Sequence, residues 1–161
     1  MIRGASLAAL IVLASAGCGG PNLDVEPWCQ LGTGEVEWVP MFDGDEAWVV
    51  RGIQGGDHIW GSARVTGLDW TEITLIFEIL DEEGFPVTDS SRLTTSLTQC
   101  PRSMEGCDPG MGETVGFPIL VENPSEIVGD DIILRLTAAD GSGRSTATDE
   151  YAVKARRATS E

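Results

Sequence analysis

The chain has 161 residues, of which 26 are acidic and 10 are basic, so its formal net charge is −16 at pH 7. A surface with this charge repels nucleic acid and anionic lipid headgroups, and it attracts cations and basic partners. We therefore expect no nucleic-acid partner. The length suits one domain with an ordinary hydrophobic core, because domains most often contain about 100–150 residues.

The first residues of the chain have the order of an export signal. Arg3 precedes the apolar run Leu7–Leu13, and small residues follow up to Cys18. This is a basic region, a hydrophobic region and a cleavage site in sequence. The hydrophobic run is shorter than the about 20 residues that span a bilayer. The pattern predicts a signal peptide over residues 1–17.

The end of this segment, Leu13-Ala14-Ser15-Ala16-Gly17-Cys18, resembles a bacterial lipobox. The resemblance implies that Cys18 is acylated and becomes the N-terminus of a lipid-anchored cell-envelope protein. That family usually has Leu three residues before the Cys, where this chain has Ser15. Gly19 rather than Asp follows Cys18, which in the sorting pattern of bacterial lipoproteins favours the outer membrane over the inner one.

Residues 18–34 are rich in Gly and Pro and show no periodic apolar pattern. This composition is typical of a flexible tether between a lipid and a folded domain. We therefore predict a lipidated tether over 18–34, a folded domain over 35–157 and a short tail over 158–161.

The rest of the chain consists of short runs that alternate apolar and polar residues and are separated by Gly, Pro and Asp. The clearest run alternates Ile73, Leu75, Phe77 and Ile79 with polar neighbours. Such a pattern favours an all-β sandwich of about seven or eight antiparallel strands. The predicted strands are Glu35–Phe42, Glu46–Arg51, His58–Leu68, Thr71–Asp81, Thr114–Glu122, Asp131–Ala139 and Arg144–Arg156, with peripheral strands at Phe85–Val87 and Leu93–Gln99.

The last predicted strand pair, LRLTAADGSGRSTATDEYAVKA over residues 134–155, flanks a short Asp/Gly loop typical of a hairpin. It resembles the final strands of bacterial immunoglobulin-like and fibronectin type III-like sandwiches. The export signal, residues 32–35 and residues 55–60 are also similar to uncharacterised lipoproteins of myxobacterium-like bacteria. These resemblances imply an immunoglobulin-like fold in an envelope lipoprotein.

Four cysteines are present, and lipidation of Cys18 would leave Cys29, Cys100 and Cys107. An odd number in an oxidising compartment allows at most one intramolecular disulfide. A local Cys100–Cys107 bridge is the first prediction, and a bridge from Cys29 to either of them is the alternative. No metal site is predicted, because the chain has no C-x-x-C pair and only one histidine.

Calcium is the cation that the acidic turns could bind, since hard cations take six to eight oxygen ligands. The candidate turns lie at Asp43–Glu46, Asp81–Glu83 and Asp130–Asp131. None matches the Asp-x-Asp-x-Asp-Gly calcium loop with its distal Glu, so solvent-facing turns are the alternative interpretation.

The stretch around the single histidine is the candidate ligand-binding site. Asp57, His58 and Trp60 lie within four residues, and strand alternation places His58 and Trp60 on one face. Catalysis would need a nucleophile beside the base, and no such motif is present. The sequence therefore predicts a non-catalytic envelope protein without a cofactor. It would act as a structural or protein-interaction module, or alternatively bind carbohydrate or peptidoglycan fragments.

Overall fold

The computed structural model describes residues 20–141, 143 and 146–159. The predicted signal peptide, the predicted acylation site Cys18 and the end of the predicted tail lie outside these residues. Within the described part of the chain, no helix combines the length and the apolar character needed to cross a membrane.

The described residues form ten β-strands and one short 3₁₀ turn at Pro124–Glu126. The strands are β1 (Trp28–Thr33), β2 (Val39–Pro40), β3 (Glu46–Arg51), β4 (Asp57–Thr66), β5 (Ile73–Leu80), β6 (Ser91–Thr95), β7 (Thr98–Gln99), β8 (Gly112–Val121), β9 (Asp131–Asp140) and β10 (Thr146–Arg157).

All ten strands belong to one mixed sheet that curls on itself, with the order β2-β1-β4-β3-β10-β9-β5-β6. Strand β4 is its centre. β8 pairs along one edge of β4, and β1 and β3 pair with successive halves of the other edge. β7 extends this part of the sheet by pairing with β8. The sheet has two halves, one around β4 and one formed by β10, β9, β5 and β6. β3 joins them, because it pairs with β4 on one side and with β10 on the other.

The core lies between the half of the sheet around β4 and the half around β9 and β5. Alternation puts Leu75 and Phe77 of β5 inward, where both are fully buried. The Phe77 ring stacks on Phe117 of β8, with ring centroids 5.2 Å apart. Cys29 of β1 packs against the β9 backbone at Leu136. One continuous apolar cluster therefore holds both halves together.

The all-β prediction is confirmed, but the expected seven or eight antiparallel strands are wrong in number and direction. The structure has ten strands in its described part, and β3 runs parallel to β10. The predicted strand over residues 35–42 is reduced to the two residues of β2. The predicted hairpin near the end of the chain is the antiparallel pair β9–β10.

The predicted tether over residues 18–34 is too long, because β1 begins at Trp28 within it. β1 pairs with β4 from Trp28↔Thr66 to Gly32↔Ser62. Cys29 and Leu31 are 2% and 1% exposed, so this strand contributes to the core. The folded domain therefore begins before Glu35, and the alternation in WCQLGT was hidden by its glycine and polar residues.

After β1, residues 34–38 cross the outer face of β4 and β8 before returning as β2; we call this segment the crossing loop. The Gly34 carbonyl accepts hydrogen bonds from the Gly116 amide at 3.1 Å and the Ser62 hydroxyl at 3.2 Å. Gly116 has a φ of 70° at a bulge in β8, and a Cβ there would clash with the Glu35 carbonyl oxygen. Glycine is required at this position by both conformation and space.

The crossing loop also covers a buried arginine on the outer face of β4. Arg64 is 1% exposed, and its Nε donates to a Glu113 carboxylate oxygen at 2.7 Å. The Trp38 ring lies over its guanidinium, 3.7 Å from carbon to centroid, which is a cation–π contact. Residues 100–107 also cover Arg64; we call them the disulfide loop, because a disulfide joins Cys100 to Cys107. The Glu105 carbonyl of this loop accepts a hydrogen bond from Arg64 Nη1 at 3.2 Å.

We expect Glu113→Ala to lower the free energy of unfolding by about 3–5 kcal/mol, because it leaves a buried guanidinium without its counter-ion. Glu150→Ala is the matched control, since the Arg135–Glu150 pair at 2.8 Å is solvent-exposed. Removing it should cost less than about 1 kcal/mol. Urea unfolding of the two variants measures both values, and equal losses would show that Arg64 does not depend on Glu113.

Candidate functional site

A groove of 780 Å³ lies on the outer face of the sheet, at two of the sequence-predicted residues. His58 and Trp60 of β4 form part of its floor. The crossing loop provides one wall at Glu35, and the β3–β4 loop provides another at Ile53. Leu120 of β8 is also part of the lining.

The floor is set by strand alternation. Ile59 points into the core and is 1% exposed, so its neighbours His58 and Trp60 face outward. The two rings are in edge-to-face contact, with centroids 4.3 Å apart and an interplanar angle of 78°. This is the polar–aromatic pair that the sequence predicted.

His58 is 7% exposed, and its Nε2 atom is buried without a hydrogen-bond partner among the described residues. A buried polar nitrogen without a partner costs about 1–3 kcal/mol, so native proteins rarely retain one. The floor of the groove therefore holds a hydrogen-bonding group that the protein itself does not satisfy.

The β3–β4 loop is closed by its own backbone. The Gly52 amide donates to the Gly56 carbonyl at 2.7 Å, and the Gly55 amide donates to the Gly52 carbonyl at 2.9 Å. A Cβ at Gly52 would lie 3.3 Å from the Cε1 atom of His58. The loop is thus built tightly against the imidazole, and it holds the fully exposed side chain of Ile53 at the groove rim.

The groove combines apolar rims with few charges. Ile53 is fully exposed, and Leu120 is 57% exposed. The charged side chains of the lining are Glu35 and Arg51, one of each sign. No serine, threonine or cysteine belongs to the lining in the described part of the chain. This arrangement resembles a small-ligand site, where apolar walls surround a few polar groups.

Asp57, the third residue of the predicted site, is not in the groove. It lies on the opposite face of β4 from His58, and its carboxylate pairs with Arg157 Nη1 at 2.8 Å. Neighbours in a strand face opposite ways, so closeness in sequence did not place Asp57 with His58. The residues that line the groove with His58 and Trp60 include Glu35 and Leu120, which are distant from them in sequence.

The acidic turns differ in their surroundings. In the first turn, the Asp43 carboxylate accepts from the Ala152 amide at 2.9 Å and Glu46 pairs with Arg156 at 3.0 Å. The other two turns meet around a separate cavity of 270 Å³ lined by Asp81 and Asp131, among others. Asp81 Oδ1 already accepts two backbone amides there.

Only one group of metal-ligating atoms lies within 4.8 Å of one another in the described residues: Cys100, Cys107 and Glu113. Cys100 and Cys107 are joined by a disulfide, with Cα atoms 5.6 Å apart, which is the pairing predicted first. Their sulfurs are therefore occupied. Among the described residues, no three carboxylates of the acidic turns have oxygens within 4.8 Å of one another.

No protein-family model matches this chain, and neither does any curated protein sequence. Sequence reasoning found His58 and Trp60 but missed Glu35 and Leu120. The signal for Glu35 was the glycine before it, Gly34, which marks a turn. The signal for Leu120 was an apolar residue at a position of β8 where the alternation predicts a polar one.

Cys29 is a free, buried cysteine. Burial raises the pKa of its thiol from 9.0 to about 12, and the nearby Asp149 carboxylate adds to the rise. A pKa above the unfolded value favours the protonated thiol in the folded state. This contribution to stability is therefore lost as the pH rises from 9.0 to about 12.

We expect Cys29 in the native chain to resist alkylation by iodoacetamide at about pH 8, because the thiolate is the reactive form and the sulfur is buried. In about 8 M urea the same thiol should react fully. Peptide mass spectrometry measures the alkylation at each cysteine. Rapid native labelling of Cys29 would contradict its burial between β1 and β9.

Proposed function

We propose that this protein is a lipid-anchored, non-catalytic binding module of the cell envelope, in the outer rather than the inner membrane. It would be held at the membrane through an acylated Cys18. Its groove would bind another envelope component, either a protein or a glycan. The observation that carries the proposal is the buried, unpartnered His58 nitrogen beneath a preformed groove.

The groove favours binding over catalysis. His58 is its only imidazole, and no hydroxyl or thiol side chain stands beside it in the described lining. Catalysis through a side-chain nucleophile needs such a group within hydrogen-bond reach of the imidazole, about 2.6–3.2 Å. Exposed apolar side chains at the rim, Ile53 and Leu120, are instead what a ligand-binding surface offers.

We also infer that the curled sheet is an elaborated immunoglobulin-like sandwich. In that fold one sheet has the strand order G-F-C-C′ and the other the order A-B-E-D. Lettering the strands along the chain from β3 makes β3 to β10 the strands A, B, C, C′, D, E, F and G. The run β10-β9-β5-β6 then has the order G-F-C-C′, and the run β3-β4-β8-β7 has the order A-B-E-D. β1 and β2 are then N-terminal additions. This supports a scaffold role, since such domains commonly present binding surfaces.

The lipid anchor is tested by Cys18→Ser expressed in a Gram-negative host. We expect the native chain in the membrane fraction and the variant in the soluble fraction, because multiple acyl chains are what hold such a protein stably to a bilayer. Cys29→Ser is the matched control and should stay with the membrane. Membrane association of Cys18→Ser equal to that of the native chain would disprove the anchor.

Occupancy of the groove is tested by placing a photo-crosslinking phenylalanine analogue at position 53 in growing cells. We expect irradiation to give a defined adduct there, because the Ile53 side chain is fully exposed at the groove rim. The same analogue at Phe85, 67% exposed and outside the groove lining, is the control and should give none. No adduct at position 53, or equal adducts at both positions, would contradict a binding role for the groove.

A further inference from the structure

We infer that the ligand of the groove is a neutral oligosaccharide built of pyranose rings. This inference rests on the proposed binding function and names the chemical class that the groove would take. It is carried by the charges of the lining, the unpaired His58 nitrogen and the half-buried Trp60 ring.

The charges of the groove favour a ligand without net charge. The chain carries −16 overall, so anionic ligands are repelled from its surface. The groove itself is balanced, because Glu35 and Arg51 are its only charged side chains among the described residues. Neither makes an ion pair within the described chain. A neutral molecule with hydroxyls can hydrogen-bond to both side chains and adds no net charge to the groove.

The His58 nitrogen favours a hydroxyl as its partner. In one tautomer of a neutral imidazole Nε2 is a donor, and in the other it is an acceptor. A hydroxyl donates and accepts, so it satisfies Nε2 in either tautomer. Gln54 in the same lining offers an amide with both functions. Sugars are the ligands that present several hydroxyls at the edge of an apolar ring face.

The aromatic floor supplies the surface for that ring face. Trp60 has an apolar ring with a polar N–H, a combination suited to a ligand that is apolar on its faces and polar at its edge. Ile53 and Leu120 extend the apolar surface on either side. The groove volume of 780 Å³ lies within the about 300–1,000 Å³ of small-ligand sites. It accommodates a short oligosaccharide rather than a polymer-sized surface.

Nε2 of His58 is buried, and the Trp60 ring is in contact with the imidazole. Binding should therefore change the surroundings of both rings together. Because the chain has one histidine, the ring nitrogens of His58 give unambiguous NMR signals.

The test is a titration of the full ¹⁵N-labelled chain, in a detergent without a sugar headgroup, with cellotriose, maltotriose and chitotriose. We expect at least one of them to shift the His58 Nε2 and Trp60 indole signals in a saturable way. Trigalacturonic acid and trialanine serve as the anionic and peptide probes. They should leave both signals unchanged.

Three variants locate the binding. Trp60→Ala should weaken the affinity at least tenfold, and His58→Phe should weaken it about three- to tenfold because one hydrogen bond is lost. Trp28→Ala is the matched control, since Trp28 is exposed at the opposite end of β4, beside Thr66. It should bind unchanged. Glu35→Gln, at an exposed position, serves where Trp60→Ala fails to fold, and it should also weaken the affinity.

The glycan assignment is overturned if none of the three neutral sugars shifts the signals at about 10 mM, the weak end of specific affinities. It is also overturned if Trp60→Ala and Glu35→Gln bind as well as the native chain, or if only trialanine or trigalacturonic acid binds. An adduct at position 53 in cells without sugar binding would leave the binding function standing and reject the glycan. Absence of both would reject both.

Discussion

The constraint on which the outer face of this protein depends is the burial of Arg64. A guanidinium removed from water requires a counter-ion and partners for its remaining N–H groups, since an unpaired buried charge is strongly destabilising. Glu113 on the neighbouring strand supplies the carboxylate, and the disulfide loop supplies a carbonyl at Glu105. The Trp38 ring covers what remains. One arginine thereby fixes two loops that are distant in sequence onto the same surface.

The candidate site follows from this arrangement. Holding Trp38 over Arg64 requires residues 34–38 to cross β4, and the crossing puts Glu35 at the groove wall. The bulge at Gly116 makes room for the Glu35 backbone and bends β8 at the same point. Leu120, beyond the bulge, then faces the groove with His58, its partner in the pairing of β4 and β8. The groove is therefore a product of the cover over the arginine as well as of the sheet.

The alternation of apolar and polar residues predicted those features that depend on one or two neighbouring strands. The period of two identified β5, the β9–β10 hairpin and the shared face of His58 and Trp60, because each follows from alternation within one or two strands. Long-range features were not accessible. In the sequence, Arg64 looks like an ordinary polar residue of a strand. Its burial depends on contacts with Glu113 and Trp38, which are distant in sequence. Glu35 and Leu120 line the groove although they are far apart in sequence. β1 contributes to the core although the composition around it is that of a linker.

The acidity of the chain is partly structural rather than available for ligands. Asp149 accepts the Leu31 amide at 2.9 Å and so connects β10 to β1, and Asp43 accepts the Ala152 amide at 2.9 Å across the β3 side of the sheet. Glu113 neutralises Arg64. Carboxylates used in this way stabilise the fold through charge-assisted hydrogen bonds. The excess of negative charge then acts at long range, where it disfavours anions, while the balanced groove stays suited to neutral ligands.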